Sequence, residues 1–182
     1  MALVLCVLLA GVLTLVTPEP DPFGVRYYEP GRDGWARAPE LAVKVESVAL
    51  TQQVNRTAGK FEMDPITTDA VFVVVDLSVA VRGRVSTLDR VSLVSADGRT
   101  YLQRREGGMG QLPMTDPGFT SHGTAVFEVP RDRVAGASLV VGPDSRGFVV
   151  VFRGAPRVPD VTRGAVERDS YAPAAPSTEV TR

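Results

Sequence analysis

Between Leu41 and Phe152 apolar residues recur at every second position in short runs separated by turn residues, the pattern of strands that bury one face. Leu41, Val43 and Val45 alternate with Lys44 and Glu46, and the pattern resumes one place out of step at Val48 and Leu50. That slip predicts a bulge around Glu46-Ser47. The strongest run is Ala70 to Arg82, in which Val75, Leu77, Val79 and Val81 alternate with Asp76, Ser78, Ala80 and Arg82. Its first half, Val71 to Val74, is apolar on both faces, so this strand is expected to be central and covered on both sides. Val91 and Leu93 lead into Asp97-Gly98, whose tolerance of positive φ predicts a hairpin with a two-residue type I′ turn. Thr124 to Val129 alternates again until Pro130, and Pro130 to Gly136 predicts one short helical turn. Ser138 to Val141 and Gly147 to Phe152 supply two last strands. The expectation is an all-β, two-sheet antiparallel sandwich over residues 41–152.

The ends read differently. Ala2 to Val16 is an uncharged apolar run followed at once by a Pro-rich polar stretch, long for a signal core and short for a full span. It predicts a membrane-directed segment over residues 1–17, a signal-anchor or transmembrane helix touching the membrane through residues 2–16. Residues 18–40 contain Pro18, Pro20, Pro22, Pro30 and Pro39 with Phe23, Tyr27, Tyr28 and Trp35, and are expected to form a linker. Residues 153–182 carry Pro156, Pro159, Pro173 and Pro176 without apolar periodicity, which predicts a flexible tail.

Composition sharpens this in three places. The 182 residues hold 20 basic and 21 acidic side chains, so no basic field exists to attract nucleic acid. One cysteine and one histidine leave no disulfide and no cysteine-histidine zinc cage, and no cofactor or metal is expected. Thirty valines fit a pleated sheet.

Few residues suggest chemistry. His122 follows Ser121, but neighbours on a strand point to opposite faces, which speaks against a serine-histidine pair. Gly107-Gly108-Met109-Gly110 lacks the lysine and the helix of a phosphate loop. Asp64, Asp97, Asp116 and Asp144 each border Pro or Gly, as turn aspartates do, and their spacing with Asp69 gives no support to a calcium site. Asn55-Arg56-Thr57 fits a glycosylation sequon by chance. Arg82, Arg84, Arg104 and Arg105 read as a solvated face. Gly107 to Ser121 is too long for an ordinary hairpin connection, and its Met109, Leu112, Met114 and Phe119 form the candidate contact loop. No catalytic residue is predicted.

Seven short strands in roughly 110 residues match an immunoglobulin-like sandwich in size and spacing. Three segments stand in order: Thr68-Asp69-Ala70-Val71-Phe72-Val73-Val74-Val75-Asp76-Leu77, then Leu93-Val94-Ser95-Ala96-Asp97-Gly98-Arg99-Thr100-Tyr101, then Gly123-Thr124-Ala125-Val126-Phe127-Glu128-Val129-Pro130. Over residues 41–152 the chain resembles the immunoglobulin-like domains of unknown function found in membrane-anchored and secreted actinobacterial and other Gram-positive proteins. The resemblance implies a sandwich outside the membrane and brings no catalytic motif with it. The functional expectation is a membrane-tethered, extracytoplasmic, non-enzymatic module that binds a protein partner in the cell envelope. The alternative is a domain for a small molecule, glycan or metal, or a cleaved and secreted form.

Overall fold

The computed structural model describes residues 26–58, 61–82, 90–106, 109, 112, 116–142 and 154–180. The apolar run 2–16, Met114, Asp144 and the strand expected at Gly147 to Phe152 lie outside the described residues. No helix among the described residues is long and apolar enough to cross a membrane.

The described chain is a β-sandwich. Its strands are β1 (Arg26–Tyr28), β2 (Trp35–Arg37), β3 (Leu41–Ala58), β4 (Phe61–Val81), β5 (Arg90–Val94), β6 (Thr100–Leu102), β7 (Phe119–Val129), β8 (Ser138–Gly142), β9 (Gly154–Val158), β10 (Val166–Glu167) and β11 (Ser177–Val180). One sheet runs β1-β9-β8-β5-β6. The other runs β10-β3-β4-β7-β11, with β2 also on β3. Odd-numbered residues of β4, from Val71 to Val79, meet Val91 and Leu93 of β5 and Leu139 and Val141 of β8 in the core between the sheets. A single 3-10 turn at Arg131–Arg133 stands where the short helical turn was expected.

The bulge falls where the apolar pattern slips: the β3–β4 register shifts between Val45 and Ser47. Its consequence is that Glu46 and Ser47 both reach the outer face of the six-stranded sheet, where they bond Ser78 and Asp76 of β4. From Val71 onward β4 lies between β3 and β7 and is covered on both sides, whereas Phe61 to Ala70 extends beyond β7 with both faces more open. Phe72 and Val74 belong to a second, outer core with Ala49, Val54, Val126, Met109 and Tyr171.

Four expectations are corrected. The β5–β6 turn is not type I′: Gly98 N–H bonds Ser95 C=O at 2.9 Å, Gly98 has φ +82°, and Asp97 stays at negative φ. This is a three-residue loop with a turn followed by a left-handed glycine, which Asp-Gly satisfies equally well. The sheets are not wholly antiparallel, because β1 pairs β9 and β10 pairs β3 in parallel. The 18–40 segment is not only linker, because β1 and β2 lie within it.

The 153–182 segment is not a loose tail either. After β9 it runs along the free edge of β3, where Arg168 N–H bonds Leu50 C=O and Tyr171 N–H bonds Gln53 C=O. It then crosses the outer face and ends as β11 on the far edge, paired to β7. Tyr171 packs into the outer core on the way and donates its hydroxyl to Asp76 Oδ2. This strap shows no periodicity in sequence because its strands are short, lie at edges and bury little.

Candidate functional site

The strap covers the apolar half of the outer face and leaves the polar half open. That half is a groove of about 1160 Å³ bounded by β2, β11 and the start of β7. Its floor is a row of cross-strand neighbours, because Ser78 of β4 stands in register with Lys44 of β3 and His122 of β7. Ser78 Oγ donates to Glu46 Oε1 at 2.7 Å and lies 2.8 Å from His122 Nδ1. Lys44 Nζ donates to Glu46 Oε2 at 2.8 Å, and His122 Nε2 stands 3.3 Å from Glu179 Oε1 on β11.

The donor count fixes the polarity of this row. A serine hydroxyl has one proton, and Glu46 takes it, so His122 Nδ1 carries the proton of the second bond. The row therefore runs Lys44, Glu46, His122, Glu179, knitted through Ser78. Burial works to raise the Glu46 carboxyl, but the hydrogen bonds from Lys44 and Ser78 and the nearby His122 outweigh it and hold it below the ordinary value.

This geometry does not make Ser78 a nucleophile. Activation needs the hydroxyl proton directed to the imidazole, whereas here it goes to a carboxylate, and Ser78 is only 1% exposed. Ser121 faces inward and is fully buried, so it and His122 point apart as neighbours on a strand must.

The wall comes from β2. Trp35 pairs Lys44 in register, and the Arg37 guanidinium lies 6.0 Å from the Trp35 ring centre. Asp33 accepts from Arg37 at 2.8 Å, and this bond chiefly holds its carboxyl at about 2. Across the groove Arg82 makes no ion pair among the described residues.

The candidate contact loop is dispersed. Met109 is fully buried in the outer core, and Leu112 packs half-buried on the main core. Met109 presents no surface, since a flexible thioether fills gaps in a core as readily as it meets a partner. Phe119 is exposed, at 38%, opening β7 between Gly118 and Thr120 of the groove wall. Arg104 bonds Glu128 and Glu106 rather than standing free. Asp97 accepts from Ser95 and from Arg133 at 2.6 Å, which fits its turn role. Among the described residues no group of histidine, cysteine, aspartate or glutamate is gathered as a metal site would require. The groove was missed in sequence because its parts, Trp35, Glu46, Ser78, His122 and Glu179, lie on five separate strands. The one signal was the bulge.

The strand pairings alone define a β-sandwich with a strapped sheet. No family model and no curated protein matches the chain. Among solved structures it is similar to an uncharacterized β-sandwich protein from Clostridium difficile, at 8% identity and a TM-score of 0.45, over 79% of this chain and 99% of that one.

Proposed function

We propose that the protein is a non-enzymatic binding module that holds a protein partner of the cell envelope against the groove beside His122. The observation that carries this reading is the composition of that concave face. It offers a tryptophan and two arginines next to polar and charged side chains that are already paired with one another. Tryptophan and arginine are enriched at protein contacts, and groups paired before docking lose less on leaving water than bare charges do.

The fold is read as immunoglobulin-like. Taking β3, β4, β5, β6, β7, β8 and β9 as seven consecutive strands, the first, second and fifth share one sheet and the fourth, third, sixth and seventh the other. That division agrees with the immunoglobulin order when the fourth strand joins the third, as additional strands do in variable-type domains. The tether is the apolar run 2–16, with the sandwich on the extracytoplasmic side or released after cleavage. A small molecule or glycan seated on Trp35 is the second reading, favoured by the Arg37 guanidinium that braces its ring.

The test is purification from native membranes after crosslinking, with wild type, Trp35→Ala and His122→Ala compared. A stoichiometric protein retained by wild type and lost from both variants, at unchanged circular dichroism, supports the reading. Equal recovery by all three overturns it, and a small molecule held by wild type alone moves the assignment to the second reading. Labelling of Ser170→Cys by an impermeant maleimide on intact cells supports the outside placement; labelling only after lysis overturns it.

A further inference from the structure

The last strand of the strap is held differently from the rest of it. Tyr171 is buried and bonded, whereas all four residues of β11 are exposed and enter neither core. Between them lies Ala172-Pro173-Ala174-Ala175-Pro176, which pairs with no strand. β11 is fastened by its short ladder, Ser177 opposite His122 through Val180 opposite Phe119, and by side-chain contacts that include two at 3.3 Å. One joins the Ser121 and Thr178 hydroxyls at 3.3 Å, and the other is the His122–Glu179 pair at 3.3 Å.

Among the described residues the edge beneath β11 is longer than β11 itself. Along that edge of β7 no strand pairs with Gly123 to Ala125 among the described residues, and the next contact is Arg104 N–H to Val126 C=O. A longer extended segment can therefore occupy the seat of β11 and continue the ladder. The seat also has stated chemistry: a buried hydroxyl at Ser121, then an imidazole at His122 with Arg82 also lining the groove.

We propose that the Phe119–His122 edge of β7 is a strand-addition site for an extended acidic segment of a partner protein, which β11 occupies in the partner's absence. This rests on the reading of the groove as a protein-contact face and names what the partner presents: a hydroxyl residue opposite Ser121, then a carboxylate opposite Thr120, then an aliphatic residue opposite Phe119. A second copy of the chain is disfavoured as the source. Its C-terminal strand has the same four residues, and the tethered β11 meets the edge at far higher effective concentration.

The probe is the heptapeptide TVTSTEV, whose first three residues reach past His122. Fluorescence anisotropy measures its binding to three proteins: the full chain, the chain ending at Pro176, and full-length Glu179→Lys, which removes the His122–Glu179 contact without shortening the protein. The expected result is binding about tenfold tighter to both altered chains than to wild type, and about tenfold weaker when the peptide glutamate is replaced by lysine. Three results overturn the proposal: no binding to either altered chain while both melt as wild type does, equal binding of the lysine peptide, or concentration-dependent dimers of the full chain in place of peptide affinity. If the peptide fails while a membrane partner is still lost on Trp35→Ala, the groove reading stands and only the strand-addition site falls.

Discussion

Asp76 gathers three hydroxyl donors from separate parts of the chain: Ser47 at 2.7 Å, Thr124 at 2.8 Å, and Tyr171. It ties β3, β7 and the strap to the central strand. Tyr171→Phe removes one donor from a charged acceptor and is expected to cost about 1.5–3 kcal/mol in denaturant melts, less if water replaces the hydroxyl. Burial first, and then the bond to Asp76, push the Tyr171 hydroxyl well above the ordinary tyrosine range. A raised folded value means that this contribution is complete at pH below about 10 and is lost only as pH climbs through the folded value. Phenolate absorbance should therefore show a tyrosine titrating above the ordinary tyrosine range, and its disappearance in Tyr171→Phe identifies it. On the inner side of the same strand, Val75→Asp puts an unpaired charge in the main core and is expected to cost about 3 kcal/mol or more. Alternation shows Ser78 to be outward and suggests that Ser78→Asp is tolerated, yet Ser78 is buried at the foot of the row and the substitution sets a second carboxylate against Glu46 there. Melting of that variant should fall measurably below wild type. The side of the sheet was legible in sequence at both positions. Burial was not, since the partners that cover this face lie far along the chain, 44 residues from Ser78 for His122 and 95 residues from Asp76 for Tyr171.

At the scale of elements, what could be read was whatever leaves a parity signal. The bulge did so, because an extra residue moves every later apolar position to the other face. The central strand did so through its two-sided apolar half. The turn between β5 and β6 left only a composition signal, and Asp-Gly fits two turn types that only the φ angles separate. There the left-handed glycine is the critical residue: a Cβ at Gly98 meets nothing within 4 Å, so Gly98→Ala has a backbone cost alone. It is expected to lower stability by about 1 kcal/mol in thermal melts while leaving the β5–β6 pairing intact. The edge strands β1, β2, β10 and β11 left no signal at all. Two to four residues hydrogen-bonded to an existing edge need no buried face, so prolines and small residues serve there as well as valine.

For the whole molecule, the strap changes what counts as the folding unit. Periodicity alone bounds the domain at Leu41 and Phe152 and leads one to expect that fragment to fold by itself. The structure adds β9, which pairs with β1 and β8, and Tyr171, which closes the outer core. A fragment 41–152 lacks all of these and exposes Phe72, Val74 and Val126, whereas a fragment 26–180 keeps them. The longer fragment is expected to melt cooperatively and the shorter to melt lower or bind hydrophobic dye; equal melting would show that the strap is not part of the fold. The same strap leaves half of the outer face open as the groove on which the functional account depends. Site-directed photocrosslinking in intact cells tests that account most directly, with the photoreactive side chain placed at Trp35 or Arg82 in the groove and at Thr100 on the opposite sheet as control. The account predicts one discrete protein adduct from the two groove positions and none from Thr100. An adduct from Thr100 alone, or the same adducts from all three positions, would contradict it.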